Sequence, residues 1–169
     1  MSEDKNYVLG IDPGLKGGIT LYHPDGITAL RTPVLETEYV KKGKKAKRNI
    51  MDLESICDIL SNENIAHAYL EQVNAMPGQG VTSMFRFGQN MGQWEGLLAG
   101  LRIPVSLVRP QEWKKYHKLI GGEKENSFEL VQSLFPDNTE EFKFKRADEG
   151  RAESTLIAMY GWDAFYGDN

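Results

Sequence analysis

Carboxylates in three separate stretches are the residues whose type and setting point to chemistry. They are Asp12 in VLGIDPGLKGGITL, residues 8–21, Glu71 in AHAYLEQV, residues 66–73, and Asp148, Glu149 and Glu153 near the start of the last helical pattern. Asp12 follows Tyr7–Ile11, an apolar run with β-branched character that reads as a strand. Pro13-Gly14 and Gly17-Gly18 then turn the chain back into a second strand over Ile19–Tyr22. A carboxylate there is held by a rigid strand and opens onto a glycine turn, where missing side chains let a phosphate or a metal ion approach the backbone. Asp before Pro-Gly is also an ordinary β-turn starter, so Asp12 alone does not decide between the two. Glu71 weighs on the choice, because a charge in an apolar strand is seldom tolerated unless paired, exposed at an edge or bound to a cation. Glu153 follows Glu149 by four residues, about one helical turn on the same face.

Carboxylates gathered at one end of one sheet have a definite chemistry. Like charges about 4 Å apart repel by roughly 4 kcal/mol at an effective dielectric near 20, so the cluster demands protonation or cations. All-oxygen donors suit Mg²⁺ or Mn²⁺, and two such ions about 3.5–4 Å apart clamp the attacking water and the leaving oxygen of a phosphodiester.

The elements that must position these groups are legible in outline. Asp25-Gly26 signals a turn into a third strand over Ile27–Arg31, giving an antiparallel meander. Residues 32–48 are polar, lysine-rich and poorly periodic, and read as a mobile loop. Apolar residues from Met51 recur at helical spacing to about Asn62–Asn64, with Asp52 and Glu54 favouring the N-terminal dipole. That helix serves as a crossover, so the strand Ala66–Val73 lies parallel to the first and brings Glu71 beside Asp12. A glycine-rich loop at residues 74–82 precedes a helix over about Ser83–Leu101. Its small residues Gly88, Gly92, Gly96 and Ala99 imply close packing against a strand or another helix, and Met84, Phe85, Phe87, Met91, Trp94, Leu97 and Leu98 give it more apolar surface than one face needs, which suits a self-complementary dimer seam. A fifth strand over Ile103–Val108, helices over Gln111–His117 and Lys124–Phe135, a loop at 139–146 and a closing helix over Ala147–Tyr166 complete the chain, which reads as one domain over residues 1–169.

Composition narrows the class. With 169 residues, 40% hydrophobic and 26% charged, the chain can bury a full core. Its single cysteine, Cys57, sits in apolar helical spacing and fits a buried position in a reducing, cytoplasmic compartment. No apolar run spans a bilayer, and MSEDKN does not read as a signal peptide, so no membrane partner is expected. The net charge of −4 hides a segregation: KKGKKAKR carries Lys41, Lys42, Lys44, Lys45, Lys47 and Arg48, leaving −10 on the rest. Such a run is either a solvated loop or a phosphate-binding arm. His23, His67 and His117 lack metal-ligand spacing.

In GIDPGLKGG (10–18), LEQV (70–73), FGQNMGQWEGLLAGLRIPV (87–105), VRPQEWKK (108–115) and GRAESTLIAMYG (150–161), taken in that order, the chain resembles the RuvC-type Holliday junction resolvases, particularly their bacteriophage branch. The resemblance covers most of the chain. It implies an α/β, RNase H-like fold with a five-stranded mixed sheet, three strands antiparallel and two parallel, flanked by helices. It further implies a homodimer that grips four-way or branched DNA and nicks two strands symmetrically with Mg²⁺ or Mn²⁺, two ions per site. For a phage protein the compartment would be the host cytoplasm. Asp12 matches the first-strand aspartate of that pattern, Glu71 the fourth-strand glutamate and Glu153 the last-helix acid. Lys114, Lys115 and Lys124 fall near positions for phosphate contact or transition-state charge, or are plain exposed lysines.

Two departures stand out. Gly150 occupies a place where many bacterial members carry Asp or His, so the fourth ligand shifts to Asp148 or Glu149, the latter favoured by its i, i+4 relation to Glu153. Asn74 stands where bacterial members carry a stacking phenylalanine, leaving Met76 or Phe85 as wedges. Two other classes compete. A non-catalytic branched-DNA-binding module of this fold would normally have lost a carboxylate, whereas an actin-like ATPase shares the opening turn but needs two such domains.

Overall fold

A computed structural model of the chain describes residues 6–74, 77–121, 126–138 and 148–167. Five strands form one mixed sheet in the order β3-β2-β1-β6-β7. β1 (Tyr7–Asp12), β2 (Gly18–His23) and β3 (Gly26–Arg31) are the antiparallel meander, and β6 (Ile65–Glu71) and β7 (Val105–Val108) add in parallel. The five-stranded sheet matches the expected RNase H-like class, three strands antiparallel and two parallel.

The meander follows from its turns, and the parallel addition from the crossover helix α1 (Leu53–Ser61). Asp52 caps α1, its carboxylate accepting from the Ser55 backbone N–H at 3.1 Å and from the Ser55 hydroxyl at 2.7 Å. The cap starts the helix two residues later than the apolar spacing suggests, and Met51 ends a strand instead.

Residues 32–48 are not a loop. Val34–Lys41 (β4) and Lys44–Met51 (β5) pair as an antiparallel hairpin, a separate two-stranded sheet. Its two-residue connection is Lys42-Gly43, both at positive φ (50° and 74°), which matches the strand twist. The dense charge hid an alternating strand: Glu36 and Glu38 on one strand answer Lys45 and Lys47 on the other.

Alternation along β1 divides the core. Leu9 and Ile11 pack on one side with Ile56 and Leu60 of α1 and with Trp94 and Leu98 of α2 (Val81–Gly100). Val8 faces the other side, with Trp113 of α3 (Pro110–Tyr116), Val131 of α4 (Asn126–Leu134) and Leu156 and Ile157 of α5 (Glu149–Tyr166). Leu156 and Ile157 are fully buried, worth roughly 1.5–3 kcal/mol each. Gly10 shares the Val8 face, and a Cβ there would overlap the Ser154 carbonyl and the Ala158 amide, so α5 lies directly on the sheet. Thr20 Oγ1 bonds Ser154 Oγ at 2.8 Å and Thr155 Oγ1 at 3.1 Å, fixing the helix along its length. No helix among the described residues is long and apolar enough to cross a membrane.

A candidate active site at the carboxyl edge of the sheet

Asp12 and Glu71 are the last residues of adjacent parallel strands, β1 and β6, with Ile11 opposite Leu70. Strand direction therefore delivers both carboxylates to one edge, the edge where open α/β sheets bind ligands. α5 enters over the same edge. Gly150 packs on the turn after Asp12, where a Cβ would overlap the Lys16 carbonyl and Gly17, so a bulkier residue fits only if the helix or the turn shifts. This contact sets Glu149 and Glu153 facing the turn, and all four carboxylates line one cleft of about 580 Å³.

The electrostatics follow from this convergence. Burial drives the Asp12 carboxyl well above its ordinary value, Glu153, Glu71 and Glu149 push it further, and Lys114 opposes them. Glu71 is also raised by burial, partly offset by a hydrogen bond from the indole N–H of Trp113 to Oε1 at 2.9 Å and by the charge of Lys114. Lys114 Nζ stands 4.0 Å from Glu153 Oε1 and over the Trp113 ring.

Asp148 takes no part in this cleft. It is buried at the start of α5 and ion-paired to Arg31 and, at 3.8 Å, to Arg151. Arg151 in turn donates from Nε to the Ala29 carbonyl at 3.2 Å, so this acid anchors the helix to β3. Of the two candidates for a fourth position, Glu149 alone lines the cleft.

The basic candidates divide. Lys114 lines the cleft, Lys115 is exposed on α3 outside it, and Lys124 lies outside the described residues. Lys41, Lys42, Lys44, Lys45, Lys47 and Arg48 all belong to the hairpin. Met76 lies outside the described residues, and Phe85 projects from α2 at 72% exposure. His23, His67 and His117 are absent from the cleft lining. His67 bonds Ser106 Oγ at 2.9 Å, and His117 donates from Nε2 to the Leu156 carbonyl at 2.7 Å.

Sequence reasoning missed Lys16, Ser83, Arg86 and Asn90, which bring donors to the cleft wall, and the bond from Trp113 to Glu71. For Arg86 and Asn90 the signal is weak: they are four apart and share a helix face, but the helix carries other polar residues as well.

No protein-family model matches the chain. A stretch of 99 residues, 58% of the chain, is 30% identical to the chloroplastic Holliday junction resolvase MOC1 of Chlamydomonas reinhardtii, and the chain spans about a tenth (11%) of that relative's length. Among solved structures, RuvC of Thermus thermophilus in complex with a Holliday junction substrate superposes with a TM-score of 0.61 at 14% identity, covering 96% of this chain and 97% of that one. A second Thermus thermophilus RuvC structure gives 0.55 at 16% identity, covering 95% and 96%. The chain thus has the RuvC-type, RNase H-like fold and shares sequence with a Holliday junction resolvase over 99 residues.

Proposed function

We propose that the chain is a metal-dependent endodeoxyribonuclease that resolves four-way and related branched DNA by paired, symmetric nicks, acting as a homodimer. The observation that carries this reading is the convergence of Asp12, Glu71, Glu149, Glu153 and Lys114 in one cleft at the edge of a RuvC-type sheet. The similarity to MOC1, named a Holliday junction resolvase, supports the substrate class.

The donor set fits Mg²⁺ or Mn²⁺. It is all oxygen, and Asp12 feels the charge of the other three acids. Among the described residues no three acidic, histidine or cysteine side chains are gathered tightly enough to hold a cation by themselves. Mg²⁺ is commonly held through one or two carboxylates, with waters and substrate phosphate oxygens completing its shell. Asp12, Glu71, Glu149 and Glu153 are the residues that would hold two such ions. Bound there, the ions would supply an activated water and neutralise charge on the leaving oxygen.

The chain's own groups do the rest. Trp113 holds Glu71 through Oε1 and fixes its orientation. Lys114 partly opposes the rise in the proton affinity of Asp12 and Glu71 and presents a cation to a phosphate. Ser83, Arg86 and Asn90 on α2 offer donors for backbone phosphate oxygens. Two linked nicks need two sites in fixed relation, which a C2 dimer supplies. The motif resemblance to phage members would set the reaction in a host cytoplasm.

The test is incubation of purified protein with a labelled synthetic four-way junction and with linear duplex, with and without Mg²⁺. Paired junction nicks that require metal, with duplex left whole, are expected. A junction bound tightly yet uncut in Mg²⁺ would make the protein a binding module.

A further inference from the structure

The β4–β5 hairpin has two unlike faces. Residues directly opposite each other in an antiparallel pair share a face, and neighbours along a strand alternate. One face carries Glu36, Glu38, Val40, Lys45, Lys47 and Asn49. There Lys47 meets Glu36 at 2.6 Å and Lys45 meets Glu38 at 3.5 Å, so two lysines answer two glutamates and the face is close to neutral. The other face carries Tyr39 with Lys41, Lys44 and Arg48 and has no acidic residue. The Arg48 guanidinium lies over the Tyr39 ring, 5.2 Å from its centroid, which holds that cation in place.

The hairpin is rooted at the acidic cleft. The Thr32 N–H donates to the Gly17 carbonyl at 3.1 Å, and the Asp52 N–H closes the base on the Pro33 carbonyl at 2.9 Å. Arg48 and Ile50 share a shallow groove with Leu15, Arg86 and Asn90, and Leu15, Arg86 and Asn90 also line the cleft. Arg86 and Asn90 therefore link the cleft wall to Arg48 at the base of the hairpin, and Lys44 and Lys41 lie farther along the same face. Eight residues per strand reach roughly 26 Å, the rise of about seven or eight base pairs.

We propose that this face, Lys41, Lys44 and Arg48 around Tyr39, grips the phosphates of a duplex DNA arm leaving the cleft, while Lys45 and Lys47 hold the hairpin together. The proposal rests on the branched-DNA reading above and makes the six cations of the run unequal. Charge complementarity selects the occupant, since a phosphate backbone is the partner that rewards three like charges on one edge.

The experiment measures affinity for a labelled four-way junction and for linear duplex across a range of salt concentrations. At about −0.9 per phosphate neutralised, K41S/K44S/R48S flattens the log-affinity against log-salt slope by about 2 to 3 units, R48Q alone by about one, and K45S/K47S by less than one. Circular dichroism and thermal melting check that each variant is folded, and R48Q keeps the test open if the triple variant is not. Equal flattening by the triple and the K45S/K47S variants, or no flattening by either, overturns the one-faced grip. Wild-type cleavage of the same junction in Mg²⁺ reads the nuclease assignment separately: a sided slope without cleavage keeps the grip and removes the nuclease.

Discussion

Asp12 sits where burial and three neighbouring carboxylates all disfavour its charge, with Lys114 alone working the other way. Its folded value lies above the ordinary 3.8, so above that pH the group destabilises the metal-free fold, and the penalty disappears below 3.8, where folded and unfolded chains are both protonated. Asp12→Asn should therefore raise the melting temperature at pH 7 in chelator, by about 2–4 °C per kcal/mol relieved, with the gain shrinking as pH falls towards 3.8. Mg²⁺ should then stabilise wild type more than the variant. A variant that melts lower at pH 7 would mean that the carboxylate holds the fold together. In cleavage, Asp12→Asn, Glu71→Gln, Glu149→Gln and Glu153→Gln should each cost about 10²–10⁴-fold and leave junction affinity within a few-fold, measured by single-turnover assay and by titration. Asp148→Asn should do the reverse. It breaks a largely buried ion pair whose Arg31 partner is half exposed, so a loss of about 1–3 kcal/mol in denaturant melts is expected, with cleavage per folded molecule nearly kept.

At the scale of elements, the site depends on how closely α5 approaches the β1–β2 turn. Gly150 makes that approach, so Gly150→Ala should cost about 1–3 kcal/mol and reduce cleavage more than binding, because the added methyl displaces Glu149 and Glu153 from Asp12. Denaturant melts and single-turnover cleavage on the same preparation check it, and wild-type stability in the variant would remove the close contact from the account. α3 acts through Trp113, a fully buried side chain that passes its position on to Glu71 through one hydrogen bond. The cleft is thus assembled from strand ends, a helix start and one indole.

At the scale of the whole molecule, α2 buries Trp94 and Leu98 in the core and leaves its glycine row uncovered. Cβ atoms built at Gly88, Gly92, Gly96 and Gly100 meet nothing within 4 Å, so these small residues do not serve packing within the described chain. Glycine in a helix costs up to about 1 kcal/mol against alanine, and a close helix-to-helix seam between two copies would offset that. Sedimentation should show a dimer at micromolar concentration, and Gly92→Leu should shift it to monomer while leaving the monomer's circular dichroism intact. A wild-type monomer, alone and on junction DNA, would remove the paired-nick reading.

Much of the molecule was legible from local pattern. Apolar runs broken by Gly and Asp turns give the meander, the crossover makes β6 parallel, and the two together put Asp12 and Glu71 on one edge. Those features follow from chain direction and side-chain alternation, which are properties of the sequence itself. The hairpin was not legible, because Lys42-Gly43 is a weak turn signal and the pairing of Glu36 and Glu38 with Lys47 and Lys45 exists only once the strands are in register. Spacing favoured Glu149 over Asp148 through its i, i+4 relation to Glu153 but did not show what Asp148 does. Adjacent residues at a helix start point in different directions, and only the packing of α5 on the sheet decided which acid meets Arg31 and which meets Asp12.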